Sequence, residues 1–206
     1  MLKLTPMLPR VLCETHAAHI FGGMGGIERF GVLAVSSPDP VLSVVAPLGL
    51  AASVGTSLVI DLAGGLRLAS GRTLADLVGD GPRLDELSPG RQGVAVLAGG
   101  PIQAVDAFPI IEQLAAHWPA GVVRVSGDEW PGSTVPVEPL YPGWLAPPDR
   151  GAAVWQPVAS GTRPPGPGPV LPRLRARTTR QLLGGHMPSR SRWINAWRQV
   201  WSLPWA

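Results

Sequence analysis

The sequence predicts an α/β fold: a mostly parallel sheet with helices on both of its faces. Three observations predict it. Short apolar runs of strand length recur along residues 31–140, segments of helix length separate several of them, and the runs end in Gly, Pro, Ser or Asp. Strands that alternate with helices are typical of a parallel sheet, because a parallel connection needs a crossover that a helix can supply.

The strands follow from the apolar runs in chain order. Four buried strands are predicted at residues 31–36, 56–62, 93–97 and 121–126. A fifth run, residues 135–140, contains Pro136 and Pro139. Because proline cannot donate a hydrogen bond to a neighbouring strand, this run is restricted to a sheet edge or an extended connection.

Three helices are predicted between these strands. The first covers residues 41–53, with Asp39 as its N-cap and Pro40 at its first position. A short helix over residues 73–78 and a longer one over residues 105–117 follow. The last of these has its apolar residues on one side, which indicates a helix packed on the sheet.

Charge divides the chain into two parts. Residues 1–150 carry 9 basic and 14 acidic groups, whereas residues 151–206 carry 8 arginines and no acidic group. The second part would therefore attract a polyanion or an anionic membrane, and the first part would not.

The N-terminal residues give no sign of export or of a metal site. Residues 1–10 lack the apolar core of a signal peptide, and the one cysteine, Cys13, excludes an internal disulfide. His16 and His19 lie near Cys13, but the spacing is not that of a zinc site, and no metal is predicted. We expect a cytoplasmic protein, with peripheral attachment to the inner face of the membrane as the alternative.

Composition predicts four regions. They are an N-terminal extension at 1–30, an α/β domain at 31–150, a Pro/Gly-rich linker at 151–172 and a basic, Trp-rich helical tail at 173–206. The linker is predicted because proline-rich chain disfavours both helix and sheet interior and adopts an extended form.

Several motifs carry a family resemblance. Residues 33–38 look like a strand that enters a nucleotide-binding loop, and residues 58–66 look like the following strand, which ends in an aspartate, here Asp61. Residues 72–77 resemble the Thr-Leu-Ala-Asp-Leu stretch common after that strand. Through these motifs, residues 31–127 resemble the ParA/MinD family of P-loop ATPases, in the style of its pilus-assembly branch, the CpaE/TadZ-like proteins. The resemblance implies a P-loop NTPase-like fold.

The same motifs have lost the residues that handle phosphate. The one lysine, Lys3, precedes the first strand, and Asp39-Pro40 stands where the glycine-rich loop would begin. Residues 122–126 lack the metal-binding aspartate that the family has at the end of that strand. The resemblance therefore implies a pseudo-ATPase with no catalytic residue and no cofactor. The remnant of its nucleotide site would comprise Ser36, Ser37, Asp39 and Asp61. Asp61 is equally consistent with a capping role at the strand end.

The tail repeats tryptophan every four residues, from Trp193 to Trp205. A step of four residues keeps side chains along one face of a helix, so the tail predicts an amphipathic helix that starts near Ser189 and ends before Pro204. The predicted binding face comprises Arg190, Arg192, Trp193, Ile194, Trp197, Arg198, Val200, Trp201 and Trp205.

Three environments for this face are left open. The helix could fold back onto its own domain as core, dock on a partner protein or a second copy, or lie on an anionic membrane surface. MinD-type relatives use C-terminal amphipathic helices on membranes, which the resemblance extends to this chain. Nucleic acid is a weaker alternative, because the tryptophans share their face with aliphatic residues.

The expected function is non-enzymatic. The chain would be an adaptor or positioning subunit on a pseudo-ATPase domain, attached through residues 173–206 and working in pilus assembly or secretion. The alternatives are a nucleotide-dependent ParA/MinD-like ATPase with an atypical site, and a nucleic-acid-binding module. Binding of magnesium-ATP would indicate the first alternative, and a steep salt dependence of binding the second.

Overall fold

The computed structural model describes residues 29–69, 71–87, 93–127, 130–143, 151–188 and 190–205. Six strands form one parallel sheet in the order β3-β2-β4-β1-β5-β6. The strands are β1 (Gly31–Ser36), β2 (Thr56–Asp61), β3 (Gly93–Ala98), β4 (Ala120–Arg124), β5 (Thr134–Leu140) and β6 (Val154–Pro157). The predicted parallel sheet is confirmed.

Six α-helices and one 3₁₀ helix accompany the sheet in the described residues. They are α1 (Leu42–Ala52), α2 (Leu74–Asp80), α3 (Leu84–Leu87), α4 (Ala104–Ala115), α5 (Ala176–Leu183), α6 (Arg192–Ala196) and the 3₁₀ helix (Trp197–Ser202).

Each face of the sheet has its own apolar core. Alternate strand residues such as Val35, Val59 and Val122 pack with α1, α5, α6 and the 3₁₀ helix on the first face. Their neighbours, such as Ala34 and Val123, pack with α2 and α4 on the second face. Helices therefore cover both faces, as the alternation of side chains along a strand requires of a sheet buried on both sides.

Helix α1 is the centre of the first face. It is apolar around nearly its whole circumference, with residues 45–51 all buried, because the sheet lies on one side and the C-terminal segment on the other. A helix that is apolar all round has to be covered all round. Pro47 lies inside α1 and has no N–H, so the carbonyl of Ser43 loses its usual helical partner.

The predicted linker at 151–172 differs from the structure. Its residues 154–157 form β6, and residues 167–171 run beside that strand. The N–H of Trp155 donates to the carbonyl of Pro169, and the N–H of Leu171 donates to that of Trp155, at 2.8 and 2.9 Å. Proline is tolerated at this position because the segment lies at the edge of the sheet.

The predicted tail is also not one continuous amphipathic helix. Its helical residues divide into α5, the short α6 and the 3₁₀ helix. Leu182, Trp193 and Trp197 belong to the same core as α1. The predicted boundaries at residues 150 and 172 therefore do not separate the α/β domain from the rest, because the chain after each of them packs on the same sheet.

The described part of the chain offers no helix with the length and apolar character needed to cross a membrane.

Candidate functional site

The edge of the sheet at which the parallel strands end, here called the carboxyl edge, holds the residues predicted as a remnant nucleotide site. In open α/β sheets this edge is where ligands bind. Asp39 follows β1 there, and its Oδ1 accepts hydrogen bonds from the N–H groups of Val41 and Leu42 at 2.9 and 2.8 Å. The carboxylate thus occupies the N-terminus of α1, where a helix otherwise offers its free N–H groups to an anion.

Tyr141 holds the other oxygen of the same carboxylate. Its hydroxyl donates to Asp39 Oδ2 at 3.1 Å. This hydrogen bond favours the protonated phenol and raises the pKa of Tyr141 above its ordinary value, with desolvation adding to the effect.

Asp61 and Arg124 form an ion pair at the same edge. They are directly opposite each other on β2 and β4, and Arg124 Nη1 lies 2.8 Å from Asp61 Oδ1. Asp61 Oδ2 also accepts the N–H of Leu66 at 2.8 Å. Asp61 is 2% exposed and Arg124 9%, so both charges are buried and paired. The sequence predicts two alternative roles for Asp61, a remnant of a nucleotide site or a cap at the end of its strand. In the structure its carboxylate accepts the N–H of Leu66 and pairs with Arg124.

Arg124 has further internal partners. Its Nε donates to the carbonyl of Ser43 at 2.8 Å, and its Nη1 donates to the carbonyl of Gly64. The Ser43 carbonyl is the one that Pro47 leaves without a helical donor. An arginine that the sequence analysis did not single out therefore lies at this edge and is held by internal hydrogen bonds.

Ser36 and Ser37, at the end of β1, line a cavity of about 540 Å³ together with Thr134 and Glu138. The hydroxyl of Ser37 donates to the carbonyl of Val137 at 2.6 Å. Strand β4 separates Asp61 from the loop after β1. The N–H of Asp39 donates to Ser37 Oγ at 3.3 Å, so the structure keeps the residues after β1 together and places Asp61 apart from them.

The apolar residues of the predicted tail face are buried in the chain's own core. Trp193, Ile194, Trp197 and Val200 are at most 2% exposed and pack on α1. This is the first of the three environments left open by the sequence. The prediction that these four side chains bind a partner or a membrane does not agree with their position, because covering α1 already removes them from solvent.

Gly49 of α1 is the position against which two tryptophans rest. A Cβ atom at Gly49 would lie 2.4 Å from the ring of Trp193 and 2.8 Å from Nε1 of Trp197. The two indole rings meet edge to face, with centroids 5.4 Å apart. Glycine is required here by the close approach, since any larger side chain would overlap a ring.

Hydrogen bonds hold three of the four indoles of the tail in place. Trp193 Nε1 donates to Gln156 Oε1 of β6 at 2.6 Å, and Trp205 Nε1 donates to the carbonyl of Val200 at 2.8 Å. Trp201 Nε1 donates to Ser53 Oγ at 3.2 Å. Both Trp201 and Trp205 are partly buried against the first-face core. The C-terminal segment is therefore attached to α1 and to β6 by specific contacts.

The opposite side of the same segment forms a groove of about 1210 Å³, here called the basic groove. Its charged lining residues are Arg173, Arg175, Arg177, Arg190 and Arg192. All five are exposed, and no Asp or Glu is found among the described residues that line the groove. The sequence placed Arg190 and Arg192 beside the tryptophans, and the structure brings three more arginines to them. Arg198 does not line this groove.

The start of α5 adds to this positive potential. Arg175 is its N-cap, no side chain caps the helix, and its first turn has no acidic residue. The N-terminus of a helix carries a partial positive charge, so it reinforces the arginines instead of opposing them.

Sequence reasoning missed Arg124, Gly49 and Gln156. The sequence of α1, which is apolar on all sides, could have indicated the contact at Gly49. Such a helix must be covered on its outer side, and the tryptophan repeat is an apolar segment that could cover it. Arg124 and Gln156 had no local signal, since their partners lie on other strands.

Among the described residues, no three His, Cys, Asp or Glu side chains are placed to hold a metal ion. Cys13, His16 and His19 lie outside the described residues. Comparison with protein-family models and with curated proteins found no match to this chain.

Proposed function

We propose that this chain is a non-catalytic adaptor or positioning subunit, built on a degenerate ParA/MinD-like pseudo-ATPase domain. It attaches through the arginine side of residues 173–192 and works in the cytoplasm as a subunit of a larger assembly, such as a pilus-assembly or secretion machine. The α/β domain holds the attachment surface in place.

The observation that carries the proposal is the position of the Asp39 carboxylate. A P-loop enzyme binds phosphate with backbone N–H groups at the N-terminus of the helix after its first strand. Here the N–H groups of Val41 and Leu42 bind Asp39 instead. A phosphate at this place would meet a negative charge and would have to displace two hydrogen bonds.

The partners of Arg124, the buried arginine at the carboxyl edge, support the same view. Arg124 binds Asp61 and the carbonyl of Ser43. Releasing it toward a nucleotide would leave Asp61 buried without its charge partner, which is strongly unfavourable.

Attachment is assigned to the arginines because Trp193 and Trp197 are already buried in the core. Four apolar residues of the tail cover α1, whereas the five groove arginines are exposed. Since the segment packs on the core through its buried side, the backbone that carries these arginines is held by the fold. A partner then does not have to order a free tail, which reduces the entropic cost of binding.

The test is calorimetric titration of the full chain with magnesium-ATP, together with a phosphate-release assay. We expect no saturable heat and no hydrolysis above the buffer rate. The double variant Arg175→Glu/Arg190→Glu is the control for ATP held in the basic groove. Saturable binding that persists in this variant, or hydrolysis in either protein, would contradict the proposal.

A further inference from the structure

We propose that the basic groove is the docking site for an acidic, extended segment of a partner protein. This rests on the proposed function, which assigns attachment to residues 173–192 without saying what attaches.

The charges of the groove come from two stretches of chain that the fold brings together. Three arginines lie at alternate positions of residues 173–177, and two more lie at residues 190–192. Guanidinium groups pair with carboxylates through two parallel hydrogen bonds, and an exposed set of them without an acidic neighbour attracts carboxylates. An acidic chain segment can offer several carboxylates at the spacing of an extended backbone.

The size and the walls of the groove fit a polypeptide. Its volume of about 1210 Å³ exceeds the roughly 300–1,000 Å³ typical of small-molecule pockets. Pro172, Leu174 and Pro188 contribute apolar wall between the arginines. A partner segment can place the methylene groups of its glutamates against these walls while its carboxylates reach the arginines.

A membrane surface fits this groove less well. Interfacial helices insert large apolar side chains between lipids, and Trp193 and Trp197 are at most 2% exposed. The arginines line a concave surface, whereas a bilayer is flat and would reach mainly its rim.

Nucleic acid also fits less well. Single strands are bound by aromatic side chains on which bases stack, and Trp193, the one aromatic residue among the described lining residues, is buried and bonded to Gln156. A long polyanion would also run past the groove onto a chain whose residues 1–150 carry a net charge of −5. A short acidic segment avoids that repulsion.

The test is fluorescence anisotropy of a short, labelled polyglutamate peptide titrated with the full chain at low and at physiological salt. The groove variant is Arg175→Glu/Arg190→Glu. The matched control is Arg67→Glu/Arg163→Glu, which makes the same change in net charge at exposed arginines outside the groove. We expect the groove variant to weaken binding by about tenfold or more and the control by less than about twofold.

Three results would overturn the inference. They are no binding of the peptide to the unmodified chain at low salt, equal weakening by the two variants, and stronger groove-dependent binding of a single-stranded oligonucleotide or of phosphatidylglycerol vesicles. Circular dichroism verifies folding, and Arg175→Gln/Arg190→Gln replaces the groove variant if the glutamates unfold it. Magnesium-ATP hydrolysis by the same samples would refute the non-catalytic function without affecting the peptide result, so the two failures are distinguishable.

Discussion

The carboxyl edge and the basic groove both contain arginine, and they use it in opposite ways. At the edge, Arg124 is 9% exposed and bound to Asp61 and two carbonyls. In the groove, five arginines are exposed and the described lining has no acidic residue. The buried arginine at the carboxyl edge is thus held by internal partners, whereas the exposed positive charge of the groove lies on the C-terminal segment.

The largest effect should come from removing the anchor of the groove. Trp197, in the C-terminal segment, is fully buried against α1. Trp197→Ala should therefore lower the free energy of unfolding by about 3–5 kcal/mol. Urea denaturation measures it. Trp205→Ala, at a partly buried position, should cost clearly less. Equal, small losses for both would mean that the segment is not part of the core and that the groove is not rigid.

Breaking the ion pair tests the other side of the comparison. Arg124→Met removes one partner and leaves Asp61 buried and charged, so we expect a loss of about 3 kcal/mol in the free energy of unfolding. The double variant Asp61→Asn/Arg124→Met should regain part of this loss, because no buried charge remains. Arg163→Met, at an exposed site, is the control and should change stability by less than about 0.5 kcal/mol. A neutral Arg124→Met would show that the edge does not depend on this arginine.

A methyl group at Gly49 should displace the tryptophans and with them the groove. Gly49→Ala should destabilise the protein by about 1–3 kcal/mol and change its tryptophan fluorescence, because the new Cβ overlaps Trp193. Gly79→Ala is the matched control, since Gly79 lies in α2 with open space around it. That control should be neutral or slightly stabilising, because alanine favours a helix more than glycine does. The same sign for both variants would contradict the close packing at Gly49.

Removing the carboxylate at α1 should have a moderate effect. Asp39→Ala leaves the N–H groups of Val41 and Leu42 without their acceptor and should cost about 1 kcal/mol in thermal or urea unfolding. Asp106→Ala is the comparison, since Asp106 lies in the first turn of α4 but does not cap it. If the two variants lose the same amount, Asp39 contributes charge and not a cap.

The smallest effect is on the titration of Tyr141, the one tyrosine of the chain. Its pKa should lie above the ordinary value of 10.0, because its hydroxyl donates to Asp39. This contribution to stability is fully present below the ordinary pKa and is lost as the pH rises through the raised one. Absorbance titration of the phenol measures it, and Asp39→Ala should return the pKa toward 10.0. No difference between the two proteins would mean that this hydrogen bond does not form in solution.

Much of the fold was predictable from local patterns. Strands β1 to β4 were predicted because each is an apolar run that ends in a chain-breaking residue. The run at 135–140 was predicted at a sheet edge or as a connection, and this was wrong, because β5 pairs with β1 on one side and β6 on the other. Asp39 was predicted as the N-cap of α1; the N-cap position is Val41, and the Asp39 carboxylate accepts the N–H groups of Val41 and Leu42 at the helix start. The short helix predicted over residues 73–78 corresponds to α2, at whose start Thr73 and Asp76 form a capping box. These features depend on residues within a few positions of one another.

The remainder depends on contacts between distant residues. The pairing of Arg124 with Asp61 requires the register of β4 against β2, which no local pattern specifies. Strand β6 was missed because proline-rich surroundings predict an extended linker, and an edge strand tolerates such surroundings. The tryptophans were predicted as the binding face because the sequence shows that they lie on one side of a helix. It does not show that this side covers α1.

The burial of Trp193 and Trp197 against Gly49 has a practical consequence for anyone seeking a ligand. A peptide of the C-terminal segment alone would expose the indole rings of Trp193 and Trp197, which are buried in the intact chain. In a binding experiment such a peptide would bind apolar surfaces non-specifically. Binding experiments therefore need the whole chain, in which the tryptophan side of the segment is buried and the arginine side is exposed.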